Sequence, residues 1–188
     1  MSNNEQTNTS EQFSLIKELC MDVFLAKMKD YGSAWRILRS TSLTDQIYIK
    51  AQRIRSLQDK GTQKIGEGIK PEFIGIVNYC IMAIVQLELG HSDKPDLPDD
   101  KVVEYYNNYY EKAFDLMLDK NHDYGEAWRK MRISSLTDII LMKLLRIKQI
   151  ENNKGKTFIS EGIDANLYDI INYAVFALIK LELEGEKQ

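Results

Sequence analysis

The sequence predicts an all-α fold, a helical bundle made of two tandem three-helix repeats related by pseudo-two-fold symmetry. A first block of sequence occurs twice at a constant offset of 93 positions, as DYGSAWRILRSTSLTDQIYIKAQRI at 30–54 and DYGEAWRKMRISSLTDIILMKLLRI at 123–147. A second block repeats at an offset of 94 and comprises EGI at 67–69 and 161–163, NY at 78–79 and 172–173, and LEL at 87–89 and 181–183. Between these blocks apolar residues recur at helical spacing, and no strand-like alternation occurs anywhere in the sequence.

Composition restricts the function classes that need to be considered. The 188 residues include 28% charged and 44% hydrophobic residues with a formal net charge of −3, which is typical of a globular protein. No basic run stands out, which argues against a nucleic-acid backbone as the main partner. No apolar run reaches the roughly 18–20 residues of a membrane span. The N-terminus carries no export signal, and we therefore expect a cytoplasmic protein without a membrane partner.

The chain divides into segments of different composition. Residues 1–12, MSNNEQTNTSEQ, contain too few apolar residues to fold and predict a disordered tail. Two of the three prolines lie in the polar stretch HSDKPDLPDD, which predicts a linker. The predicted boundaries are repeat 1 at 13–90, a linker at 91–98 and repeat 2 at 99–185. We expect the two repeats to pack as one fused domain, because neither could cover its own apolar third helix.

The first helix of each repeat is predicted to run into the DYG turn. Apolar residues recur at helical period from Phe13 to about Lys29, and in the counterpart from about Asp99 to Lys120. The glycine that follows permits a left-handed backbone, which is a common way to end a helix.

The second helix of each repeat is predicted to begin at SLTD. Ser42 with Asp45, and Ser135 with Asp138, have the spacing of a capping box, in which the serine caps the helix and the acid bonds back to the backbone. The third helices are apolar nearly all round and should therefore lie at the centre of the fold, with Pro71 in the first turn.

Several polar residues in the third helices are candidates for a site. Asn78 and Asn172 interrupt the most apolar helices, and they either fix the packing through buried hydrogen bonds or line a polar pocket. Asp169 lies three residues before Asn172 on the same helix face, and an acid in so apolar a helix is more often functional or paired than solvated. The first copy has Gly75 at the position of this aspartate, so the two repeats do not offer equivalent sites.

The repeated residues outside the third helices leave two interpretations open. Glu67 and Glu161 either place a favourable charge near a helix N-terminus or act as metal or phosphate ligands. Trp35 and Trp128 belong either to the core or to a base-binding surface. The repeated cations form either solvated ion pairs or a phosphate-binding set, and they are Arg36, Arg129, Lys50, Lys143, Arg53 and Arg146.

The tandem pattern DYGxAWR, SLTD, EGI, NY and LEL resembles the nucleotide-modification-associated domain 1 family over roughly residues 13–185. The family name implies a function in nucleotide metabolism. More distantly, the bundle resembles the all-α nucleoside triphosphate pyrophosphohydrolases of the MazG and dimeric dUTPase type. Those enzymes hold Mg²⁺ between helices with ExxE and ExxD motifs, whereas this sequence has single acids at the matching places.

The distant resemblance implies Mg²⁺-dependent cleavage of a nucleoside triphosphate to the monophosphate and pyrophosphate. The implied metal ligands are Asp45, Asp138, Glu67, Glu161 and Asp169, of which Asp169, Glu161 and Glu67 are the catalytic candidates. The implied substrate-binding set comprises Tyr31, Trp35, Arg36, Lys50, Arg53 and Asn78 in repeat 1, with Tyr124, Trp128, Arg129, Lys143, Arg146 and Asn172 in repeat 2. The alternative is a non-catalytic nucleotide-binding or scaffold module. A homodimer is compatible with either function.

Overall fold

The computed structural model describes residues 3–61, 68–154 and 162–185. Within these ranges all regular structure is helical, which confirms the predicted all-α fold of two tandem three-helix repeats. Repeat 1 contains α1 (Asn3–Tyr31), a 3₁₀ helix (Ala34–Ile37), α2 (Ser40–Lys60) and α3 (Lys70–Leu89). Repeat 2 contains α4 (Asp99–Tyr124), a 3₁₀ helix (Ala127–Lys130), α5 (Ile133–Asn152) and α6 (Ile163–Glu182).

The third helices, α3 and α6, pack against each other at the centre of the molecule. On one side α2 packs against α3, α5 packs against α6, and α2 and α5 also contact each other. On the other side α1 and α4 each pack against both central helices. The apolar faces of both repeats therefore contribute to a single core.

Helix α3 is long and apolar enough to cross a membrane by length and hydropathy, in contrast to the expectation from sequence. About 67% of its most apolar window is buried inside the fold. Packing against α1, α2, α4 and α6 accounts for this composition, since a central core helix is apolar nearly all round.

The first helix of each repeat ends at the tyrosine of the DYG turn, as predicted. Gly32 follows α1 with φ of 54°, and Gly125 follows α4 with φ of 64°. A side chain would strain the backbone at these angles, which explains why glycine occurs in both copies.

The prediction of a disordered tail over residues 1–12 differs from the structure, because α1 already begins at Asn3. Thr9 is buried, and both Thr9 and Gln12 accept hydrogen bonds from the Arg129 guanidinium, at 2.9 and 2.7 Å. These contacts with repeat 2 replace the apolar burial that the segment lacks.

The predicted capping boxes are wrong. Helix α2 begins two residues before Ser42, and α5 begins two residues before Ser135, so both serines lie inside the first turn. The N-cap residues are Arg39 and Arg132, and neither makes a side-chain capping bond.

The threonines of the two SLTD motifs connect α2 with α5 instead. The Thr44 hydroxyl lies 2.7 Å from Glu151 Oε1, and the amide of Gln58 donates to Thr137 Oγ1 at 3.2 Å. Gln58 and Glu151 occupy equivalent positions, so the two contacts are related by the pseudo-two-fold axis. The repeated SLTD motif thus contributes to the packing of one repeat on the other.

Candidate functional site

A cavity of about 740 Å³ opens in repeat 1 between the second half of α1, the first 3₁₀ helix, α2 and α3. Its volume lies within the range of about 300–1,000 Å³ that is usual for small-molecule sites. The wall is mostly apolar and includes Phe24, Met28, Leu38 and Met82. The cavity is therefore suited to a ligand with a flat or apolar portion.

Four of the residues predicted from sequence line this cavity, namely Tyr31, Trp35, Lys50 and Asn78, and Tyr79 of the NY motif lines it as well. The Tyr31 side chain is largely exposed, whereas Trp35 is half-buried. The indole N–H of Trp35 has no hydrogen-bond partner, but the same is true of Trp128 in repeat 2. What distinguishes repeat 1 is therefore the space beside the tryptophan.

Lys50 reaches the cavity across the surface of α3. Its ammonium lies 3.4 Å from Glu72 and 5.7 Å from the centre of the Tyr79 ring. A Cβ atom at Gly75 would lie 2.7 Å from Lys50 Cε, so the absence of a side chain at this position leaves room for the lysine. Arg53 does not line the cavity and pairs with Glu72 at 2.6 Å.

In repeat 2 the equivalent of Gly75 is Asp169, and the arrangement is different. Asp169 is buried and forms ion pairs with Lys143 at 2.6 Å and with Lys120. These lysines are the repeat-matched counterparts of Lys50 and Lys27. Asp169 is therefore paired and buried, and not solvated.

Repeat 2 also has a different side chain at one position of the cavity's apolar wall. Phe176 takes the position of Met82, and its ring stacks on Trp128 at a centroid distance of 4.3 Å and an interplanar angle of 4°. Trp128 is buried as a result. The larger side chain fills the space that stays open beside Trp35.

The two buried asparagines also differ. Asn78 donates to the Cys20 carbonyl at 3.1 Å and accepts from the Tyr106 hydroxyl at 2.8 Å. Asn172 Oδ1 is buried without a partner. The counterpart of Tyr106 is Phe13, which has no hydroxyl to donate. Asn78 thus has a packing role and also lines the cavity.

The structure does not bring the predicted arginines of the AWR motif to the cavity. Arg36 is buried and donates to Asp96 at 2.8 Å and to the Gly90 carbonyl at 2.6 Å. The hydrogen bond from Arg36 to Asp96 holds the pKa of Asp96 below its usual value. Arg129 is engaged in the same way by Gln12 and by Glu184. Both guanidinium groups connect chain segments and have no donor directed at a phosphate site.

The predicted metal ligands are not brought together in the described part of the chain. Asp45 pairs with Lys148 at 2.6 Å and Asp138 with Arg55 at 3.8 Å, in two exposed and pseudo-symmetric contacts between α2 and α5. Glu67 and Glu161 lie outside the described residues. Within the described ranges no group of three acidic, histidine or cysteine side chains has the arrangement of a metal site.

The remaining predicted residues lie at the surface. Tyr124 is largely exposed, and Arg146 makes a long contact of 3.4 Å with Gln149. Sequence reasoning missed Lys27, which lines the cavity, and its counterpart Lys120. A signal was present, because both lysines precede the DYG motif by three residues and match at the offset of 93.

Comparison with protein-family models matches this chain in two segments, residues 27–87 and 120–181, to the family described as nucleotide modification associated domain 1. The two segments begin at Lys27 and Lys120, and together they cover more than half of the chain. Neither the curated proteins nor the solved structures contain a match.

Proposed function

This chain belongs to the nucleotide modification associated domain 1 family, and we propose that it binds a nucleotide or a nucleotide-like small molecule in the cavity of repeat 1. The observation that carries the proposal is the cavity itself, an apolar and aromatic pocket with a few polar groups directed into it. Trp35 and the apolar wall suit the face of a base. Lys27 and Lys50 supply positive charge at the same opening.

Repeat 2 supports this assignment as an internal comparison. The same framework is present there, but Phe176 occupies the position of the Met82 wall and packs on Trp128. A side chain that fills a pocket in one repeat indicates which space the other repeat keeps open. One ligand per chain, bound in repeat 1, is therefore expected.

The test is a calorimetric titration of the full chain with the common nucleosides and their mono- and triphosphates. The variant Met82→Phe copies the filled arrangement of repeat 2, so the chain should fold and its affinity should fall at least about tenfold, equivalent to 1.4 kcal/mol. Phe176→Met is the matched control and should leave binding in repeat 1 unchanged. Absence of binding by every nucleoside and nucleotide, or undiminished binding by Met82→Phe, would overturn the proposal.

Mg²⁺-dependent pyrophosphohydrolysis stays a second candidate that rests on the distant resemblance alone. Of the implied metal ligands, Asp45, Asp138 and Asp169 each form an ion pair with a lysine or arginine side chain. Release of pyrophosphate from a nucleoside triphosphate with Mg²⁺, absent without the metal, is the measurement that would establish it. Binding without turnover supports the non-catalytic module.

A further inference from the structure

Of three matched positions near the cavity, two carry lysine in both repeats and one differs in charge. Lys120 and Lys143 in repeat 2 converge on the carboxylate of Asp169. Repeat 1 keeps both lysines, as Lys27 and Lys50, but has glycine at the third position. Repeat 1 therefore has both lysines but no carboxylate at the position from which Asp169 holds them, and the acid that pairs with Lys50 is Glu72, where repeat 2 has Asn166.

We propose that the ligand of repeat 1 supplies this anion as one compact group, a nucleoside 5′-monophosphate, held between Lys27 and Lys50 where repeat 2 holds its own carboxylate. The proposal rests on the proposed function and specifies the class of nucleotide. Asp169 is then the internal counterpart of the ligand's phosphate, and repeat 2 is permanently occupied by its own side chain.

The state of the two lysines in repeat 1 fits this role. Within the described ranges the Lys27 ammonium has no hydrogen bond or ion pair, and the residue lines the cavity. Besides the Tyr79 ring at 5.7 Å, the Lys50 ammonium contacts Glu72 at 3.4 Å, and that carboxylate lies closer to Arg53, at 2.6 Å. Glu72 is thus shared by Lys50 and Arg53, and within the described ranges Lys27 pairs with no carboxylate, so the two lysines that line the cavity leave positive charge there that a phosphate would neutralise.

The size of the anion follows from the same comparison. In repeat 2 the space between the lysines accommodates one carboxylate on a short side chain. A terminal phosphate is of similar extent and accepts from two ammonium groups at once. A triphosphate would bring further charges without matching cations, since Arg36 is buried in its contacts with Asp96 and Gly90.

Gly75 is the specificity-determining position in this arrangement. An aspartate there would enter the space between Lys27 and Lys50, as Asp169 does in repeat 2. Its Cβ would approach Cε, Cδ and Nζ of Lys50, at 2.7, 2.9 and 3.1 Å, and this flexible side chain can move aside. The variant Gly75→Asp should fold and should exclude the phosphate by occupying its place.

The experiment is a titration of the full chain with each 2′-deoxynucleoside, its 5′-monophosphate and its triphosphate, at low and high NaCl. The wild-type chain should bind the best monophosphate at least about tenfold more tightly than the matching nucleoside, and salt should reduce this preference. Lys27→Ala and Gly75→Asp should each abolish the preference while nucleoside binding persists. Lys120→Ala, the matched control in repeat 2, should keep it.

The outcomes separate this proposal from the one on which it rests. If nucleosides bind and the monophosphate binds no more tightly than the matching nucleoside, the phosphate position is refuted and the proposed function stands. Tighter binding of the triphosphate than of the monophosphate, or a preference unchanged in Lys27→Ala, also refutes it. If no compound binds, the proposed function itself has failed.

Discussion

Glu151 lies at the contact between α2 and α5, where its carboxylate accepts a hydrogen bond from Thr44. Burial is the main cause that raises its pKa, with a smaller contribution from Asp45, while Thr44 and Lys148 act in the opposite direction. The equivalent position in repeat 1 is Gln58, an amide that donates to its threonine at no cost in charge burial. At neutral pH the charged Glu151 is therefore less favourable for stability than the amide at the equivalent position.

The first prediction concerns Glu151→Gln. Because the pKa of Glu151 is raised in the folded state, its contribution to the free energy of unfolding is fully present below its unfolded pKa. That contribution is lost as pH rises through the folded pKa. The variant should therefore be more stable than wild type at pH 7, by about 0.5 kcal/mol since the site is partly exposed. The two proteins should converge near pH 4 in thermal unfolding. Exposed Glu18→Gln is the control, and an equal pH dependence for Glu151→Gln and wild type would contradict the prediction.

At the residue scale, repetition within the chain located much of the candidate site. Trp35, Lys50 and Asn78 were identified from sequence because each recurs at a fixed offset, and all three line the cavity. Arg36 recurs equally well but is buried against Gly90 and its neighbours. Repetition shows that a residue is needed in both copies. It does not show whether the side chain faces a ligand or a backbone carbonyl, because that depends on tertiary contacts.

At the scale of the elements, α1, α3 and α4 are connected through one amide. Asn78 on α3 bonds to the carbonyl of Cys20 on α1 and to the hydroxyl of Tyr106 on α4. Burial raises the pKa of Tyr106 well above its usual value, so the hydroxyl is protonated and donates. Phe13 replaces this tyrosine in the other repeat, and the oxygen of Asn172 stays unpaired there.

The second prediction is that Tyr106→Phe destabilises the fold. The substitution removes the donor to Asn78 Oδ1 and leaves a buried acceptor unpaired, at a cost of about 1–3 kcal/mol. The melting temperature should fall by several degrees. Tyr105→Phe, one residue earlier on the same helix and only partly buried, serves as the control in thermal unfolding. Equal effects of the two substitutions would argue against the buried hydrogen bond.

The helix starts show what local sequence rules did not predict. The spacing of serine and aspartate in SLTD is that of a capping box, yet both helices begin two residues earlier. Thr44 and Asp45 instead contact residues of the other repeat: Thr44 bonds to Glu151, and Asp45 pairs with Lys148. Interactions across the interface thus determine these positions. A sequence rule that considers one helix at a time does not include these interactions between repeats.

At the scale of the whole molecule, the fold was predictable because helical period and internal repetition are both properties of the chain itself. The difference between the repeats was predictable only in part. The sequence shows glycine at position 75 where repeat 2 has Asp169. What this difference means for a ligand depends on Lys27 and Lys50, which line the cavity. A single shared core therefore supports one repeat with an open cavity and one repeat that is filled by Phe176.

The last prediction follows from the shared core. The central helices α3 and α6 pack on each other, and α4 and α1 also reach the central helix of the other repeat, so each repeat alone would expose a large part of that surface. A chain divided between Leu97 and Pro98 keeps Ser33 bonded to the Leu97 carbonyl and keeps Asp96 with Arg36, both within the first fragment. Neither 1–97 nor 98–188 should then fold as a monomer.

An equimolar mixture of the two fragments should recover the helical signal and form a 1:1 complex whose melting temperature rises with concentration. Circular dichroism and light scattering would measure both properties, and the uncut chain with a protease site at this position is the control. Pairing is expected to restore the contacts of Thr44 with Glu151 and of Gln58 with Thr137, which only the two fragments together provide. A cooperative thermal transition of either fragment as a monomer would show that each repeat has an independent core, contrary to the packing of α3 on α6.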